Sequence, residues 1–157
     1  MHKTLVLGLG NPILGDDGVG WHVAEWVKLN LPENSPVDID CLAVGGLSLM
    51  EHMLGYSKVI LIDAINTGRS PQGTVTSFRL EDLPNRALGH LSSSHDTTLQ
   101  NALEVGRQMG AQVPDQITIV AIESQDVFDF SEQLSAAVSE AVPKAGQLVL
   151  DHLKQMV

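Results

Sequence analysis

The chain has 157 residues, enough for one hydrophobic core and few for two, so a single domain over residues 1–157 is expected. Nine Lys and Arg stand against 19 Asp and Glu, a net charge of −10 at pH 7 that opposes a phosphate backbone and argues against a nucleic-acid partner. One cysteine, no signal segment and no apolar run of membrane-spanning length point to a cytoplasmic protein with no internal disulfide and no membrane partner.

In chain order, Thr4-Leu5-Val6-Leu7 reads as a short interior strand of a parallel sheet, and it empties into Gly8-Leu9-Gly10-Asn11-Pro12-Ile13-Leu14-Gly15-Asp16-Asp17-Gly18-Val19-Gly20. Helical spacing of Val19, Val23, Trp26 and Val27 follows and stops before Pro32. A second strand over residues 37–44 runs into Gly45-Gly46, and Ser48-Leu49-Met50-Glu51 fits a capping box for a short helix ending near Gly55. Lys58-Val59-Ile60-Leu61-Ile62-Asp63 is the clearest buried strand, with Asp63 at its carboxyl end. Residues 73–78 alternate as an edge strand does. A polar stretch through Ser92, Ser93, Ser94 and His95 brings in Asp96, a good N-cap, before a helix carrying Leu99, Leu103 and Val105 that closes near Gly110. Residues 117–122 form another interior strand. Leu134, Val138, Val142, Leu148 and Val149 mark a last helical region, interrupted or kinked at Pro143. Strands alternating with helices predict a three-layer α/β/α sandwich with a mostly parallel, mixed central sheet, whose loops after strands one, two and three share one edge.

That edge is where ligands bind in open α/β sheets. The first loop is not a dinucleotide fingerprint, because Ile13 occupies the third glycine position of G-x-G-x-x-G, and it lacks the G-K-[ST] of a phosphate loop. Two adjacent carboxylates would repel a pyrophosphate and suit a metal ion, a general base or a cationic peptide. Asp63 leaves an apolar strand, where an ionised carboxylate needs a partner or a metal, or else caps a turn through Asn66 and Thr67. Asp16 and Asp17 can equally be acidic residues at a helix start, and His95 an ordinary loop histidine. Taken together, two carboxylate oxygens and one imidazole nitrogen suit nickel, zinc or another first-row divalent ion. His2, His22, His52, His90 and His152 show no metal-ligand spacing, no G-x-S-x-G elbow exists, and Cys41 sits inside a strand, so covalent catalysis is disfavoured.

The strand-loop signature from Gly8 to Gly20, the second loop Gly45-Gly46, the strand ending Ile62-Asp63-Ala64, and Ser94-His95-Asp96 occur in an order that resembles the hydrogenase maturation endopeptidases, which process the large subunit of nickel-iron hydrogenases. The resemblance implies a hydrolase, a metal-dependent endopeptidase of aspartic type. It would remove the C-terminal extension of the large-subunit precursor after nickel insertion. It also implies that Asp17, Asp63 and His95 read nickel supplied by the substrate, with no permanent organic cofactor, and that Gly45 and Gly46 admit the peptide backbone closely. Family members often carry glutamate at the position of Asp17, so the aspartate shortens the reach. Polarisation of the scissile carbonyl or activation of water by the ion are both open, as is the residue that takes the proton. Two other readings remain. Gly8-Leu9-Gly10-Asn11-Pro12 also resembles the opening of bacterial peptidyl-tRNA hydrolases, although Asp16-Asp17-Gly18 replaces their basic continuation. A nickel-checkpoint chaperone that binds the precursor without cutting it would use the same three ligands.

Overall fold

In a computed structural model, which describes residues 3–83, 98–125 and 129–156, five strands form one sheet. They are β1 (Thr4–Leu9), β2 (Val37–Leu42), β3 (Lys58–Ile65), β4 (Val75–Arg79) and β5 (Gln116–Glu123). Their order is β2-β1-β3-β5-β4, and only β4 runs antiparallel to its neighbour. β1, β3 and β5 lie inside the sheet with both faces covered, which is why they are apolar at almost every position. The two edge strands are more polar: β2 alternates, exposing Asp38 and Asp40, and β4 exposes Thr76, Ser77 and Arg79.

Helices α1 (Val19–Asn30) and α4 (Ala136–Gln155) cover one face, packing on Val6, Ile60, Ile62, Val120 and Ile122. Helices α2 (Gly46–Met53) and α3 (Leu99–Gln108) cover the other, on Leu5, Leu7, Leu61, Ile117 and Ile119. Right-handed crossovers require this split. The chain steps from β1 outward to β2 through α1, then back across β1 to β3 through α2, and reversing direction puts the second helix on the opposite face. The three-layer sandwich with a mixed sheet expected from the sequence is the fold observed.

Several boundaries differ from the sequence reading. β3 continues to Ile65, so Asp63 lies within the strand, paired with Ala121, rather than at its end. β2 stops at Leu42, two residues short. The Ser48 capping box does not form: Gly46, at φ +56°, turns the chain into α2, Gly45 is the N-cap three residues ahead of Ser48, and Ser48 sits within the helix. Thr98 rather than Asp96 caps α3, its side chain accepting the Asn101 N–H at 3.2 Å; Asp96 itself lies outside the described residues. Val105 is exposed, and the buried face of α3 is Leu99, Ala102, Leu103 and Gly106. α4 runs unbroken through Pro143. The proline and Ser139, whose carbonyl loses its helical donor, both lie on the exposed side, where water can take that carbonyl.

Candidate active site

β1 and β3 are neighbours, and the turn that follows β1 packs against β3 near the carboxyl edge of the sheet, the edge at which ligands bind in open α/β folds. The first loop is held there by packing backbone against backbone. Gly10 has φ +131°, and a Cβ there would stand 1.9 Å from the Asp17 carbonyl oxygen; its N–H donates to the Leu42 carbonyl at 3.1 Å, joining the loop to the end of β2. A Cβ on Gly20 would meet the carbonyl oxygens of Leu9 and Ile62 at 2.4 Å each, so the start of α1 lies directly on β1 and β3. Much of the glycine signature is therefore spent on close packing.

Asp16 and Asp17 occupy a 3-10 turn, Gly15–Gly18, that leads straight into α1 and contacts β3. Asp17 is half-buried. Its Oδ2 accepts the Asn11 N–H at 2.8 Å, and its own N–H donates to the Leu14 carbonyl at 3.1 Å. Asp63 is only 1% exposed. It stands one residue past the last β1–β3 pair, Gly8 with Ile62, and shares the α2/α3 side of β3 with Leu61 and Ile65. The two carboxylates nominated from sequence thus stand on elements in contact, Asp17 on the turn after β1 and Asp63 on β3. Gly45 and Gly46 follow β2 at the same edge, where Trp21 Nε1 donates to the Leu42 carbonyl at 3.2 Å. His95 lies outside the described residues, among which no three His, Cys, Asp or Glu side chains gather to hold an ion.

Neighbouring groups have other tasks. Asp16 is buried and accepts three hydrogen bonds: from the Ser135 N–H at 2.7 Å, the Ser135 hydroxyl at 2.8 Å and Gln72 Nε2 at 2.9 Å. Glu123, buried at the end of β5, accepts the Thr67 N–H at 2.8 Å and bonds the Thr67 hydroxyl, so the turn considered for Asp63 is held at Thr67 by a different carboxylate. Sequence reasoning missed Glu123, although it follows an apolar run in the sequence just as Asp63 does. Burial, then the charges of Glu25 and Asp40, push the Cys41 thiol up to about 11 despite Lys28, which suits an inert strand thiol and not a nucleophile. His52 is engaged with the Ser48 carbonyl at 2.8 Å through Nδ1.

The sequence profile of the hydrogenase maturation protease family, HycI, matches residues 23–152. The chain belongs to that family. The profile begins beyond the first loop, but pairwise likeness includes it. A provisionally named hydrogenase maturation protease of Methanocaldococcus jannaschii is 31% identical over 155 residues, 96% of each chain. The hydrogenase expression/formation protein HoxM of Cupriavidus necator is 28% identical over 93% of this chain and 73% of its own. Among solved structures, the hydrogenase maturating endopeptidase HybD from Escherichia coli matches with a TM-score of 0.80 and 26% identity, over 98% of this chain and 93% of that one. HycI from Thermococcus kodakarensis, at 22% identity, shares the fold with a TM-score of 0.69. This hydrogenase maturation protease is accordingly a hydrolase, an endopeptidase of a family that acts on hydrogenase large-subunit precursors. Membership selects the endopeptidase over the peptidyl-tRNA hydrolase and chaperone readings. No helix of the described residues is long and apolar enough to cross a membrane.

Proposed function

We propose that this protease removes the C-terminal extension of a nickel-iron hydrogenase large-subunit precursor in the cytoplasm. On this reading it recognises the nickel already held by that precursor through Asp17, Asp63 and His95. The observation that carries the proposal is the contact of the Asp17 turn with β3, the strand that carries Asp63, which brings together two elements whose aspartates lie 46 residues apart in sequence. Two carboxylates and one imidazole fit a first-row divalent ion, and three donors fall short of the closed four-ligand set of a structural site. Nickel then belongs to the substrate, and the protease lends ligands to positions that the precursor leaves exchangeable.

The division of labour follows from placement. Asp17, tied to the Asn11 amide, presents its carboxylate from a turn whose backbone is fixed by the packing of Gly10. Asp63 supplies a carboxyl group from a nearly dry strand, shielded from competing water. Gly45, half-buried at the N-cap of α2, would let an extended peptide lie close to the backbone, and the buried Gly46 makes the turn that sets it there. The substrate's nickel polarises the scissile carbonyl or activates a water, so cleavage waits on metal insertion.

Asp17→Ala, Asp63→Ala and His95→Ala are each expected to abolish precursor processing while leaving the far-ultraviolet circular dichroism of the native protein. The check is mass spectrometry of the large subunit after co-expression with each variant. Full processing by any two of the three would sink the assignment.

A further inference from the structure

We propose that Asp16, the first of the two adjacent aspartates, is a positioning residue that fixes the turn presenting Asp17 and stays out of contact with substrate. The inference rests on the reading of Asp17 as a recognition residue. Adjacent carboxylates in a glycine loop look interchangeable by chemistry, but the fold separates them. Asp16 points away into the protein, 4% exposed, with Oδ1 taken by the Ser135 N–H and Oδ2 shared by the Ser135 hydroxyl and Gln72 Nε2. A carboxylate that receives three donors in a buried site is already solvated by the protein, and offering it to a metal would leave those donors unpaired.

The donors come from far along the chain. Gln72 belongs to the connection between β3 and β4, and Ser135 is the N-cap of α4, 119 residues beyond Asp16. The same junction is reinforced next door, where Gly15 N–H donates to the Ser131 carbonyl at 2.7 Å and Ser131 N–H to the Ile13 carbonyl at 2.8 Å. Asp16 therefore clamps the first loop to two other segments and sets where the next residue in the same 3-10 turn can stand. Misplacing a reacting group by about 1 Å costs about a hundredfold in rate, while docking of a whole precursor draws on a larger surface. Loss of the clamp should thus appear in kcat more than in KM.

The test measures kcat, KM and the urea midpoint with nickel-loaded precursor for Asp16→Ala, Asp16→Asn, Gln72→Ala and Ser135→Ala, beside Asp17→Ala. Expected are a loss of at least about tenfold in kcat for Asp16→Ala and a few-fold loss for Gln72→Ala and for Ser135→Ala, with KM within about twofold of the native value. Asp16→Asn should recover most of the rate, because its carbonyl can still accept the Ser135 N–H and its amide can pair with Gln72 turned about. Adding Gln72→Ala to Asp16→Ala should change little, as members of one network are not additive. If Asp16→Ala does not fold, the Gln72 and Ser135 variants and Asp16→Asn carry the test. Native kcat in the folded Gln72 and Ser135 variants would overturn the proposal, and so would an Asp16→Asn as inactive as alanine, which would mean that the charge itself is used. Full cleavage by Asp17→Ala overturns the recognition reading and the inference with it. Loss in Asp17→Ala together with native kcat in a folded Asp16→Ala removes the inference alone.

Discussion

Asp16 and Asp17 differ in nothing that composition can express, and the distinction between them is made by which way each side chain leaves a four-residue 3-10 turn. The sequence located the pair and, through the family resemblance, chose Asp17; the burial and three partners of Asp16 belong to contacts made 56 and 119 residues away, which no local pattern encodes. Asp63 was legible because a carboxylate closing an apolar run is costly without a purpose. Glu123 obeyed the same rule and went unread, although its carboxylate holds Thr67. Cys41 illustrates a residue whose environment silences it. Its thiol is raised from 9.0 to about 11, so the fold favours the protonated form; that contribution to stability is complete below about pH 9 and lost as pH climbs through 11. At pH 8 iodoacetamide should therefore alkylate Cys41 at least about a hundredfold more slowly in the native protein than in urea. Equal rates in the two states would contradict the assigned environment.

Among the elements, interior strands were read well and helix starts poorly. Apolar runs such as Val59-Ile60-Leu61-Ile62 have one stable use in a covered sheet, whereas a helix start depends on where a positive φ lets the chain turn, as Gly46 does ahead of Ser48. The pairing of α1 with α4 rests on a feature that spacing did not reveal. Gly146 makes room for Trp26, and a Cβ there would stand 2.1 Å from Trp26 Cε3. Gly146→Ala gains about 1 kcal/mol in helix propensity, against overpacking that costs about 1–3 kcal/mol. The ring has no flexible end to yield, so overpacking should win. The expected result is a lower urea midpoint for Gly146→Ala, partly restored when Trp26→Leu is added, and a raised midpoint would refute this account of the helix pair.

At the scale of the whole molecule, the topology explains why chemistry collects where it does. The order β2-β1-β3-β5-β4 sets β1 beside β3, so the turn carrying Asp17 meets the strand carrying Asp63. The strand and helix pattern made that edge foreseeable, because right-handed crossovers leave few arrangements. Two open grooves, of about 700 and about 1000 Å³, lie elsewhere, along β2 and at the amino ends of the strands; neither is lined by Asp17 or Asp63. On the proposed function, this protease reads nickel in its substrate and holds none of its own. The most direct measurement incubates metal-stripped protease with nickel-loaded and nickel-free precursor in the presence of a chelator too weak to strip the precursor, and follows the released C-terminal fragment by mass spectrometry. Cleavage confined to the nickel-loaded precursor is the predicted result, and equal cleavage of both forms would contradict it.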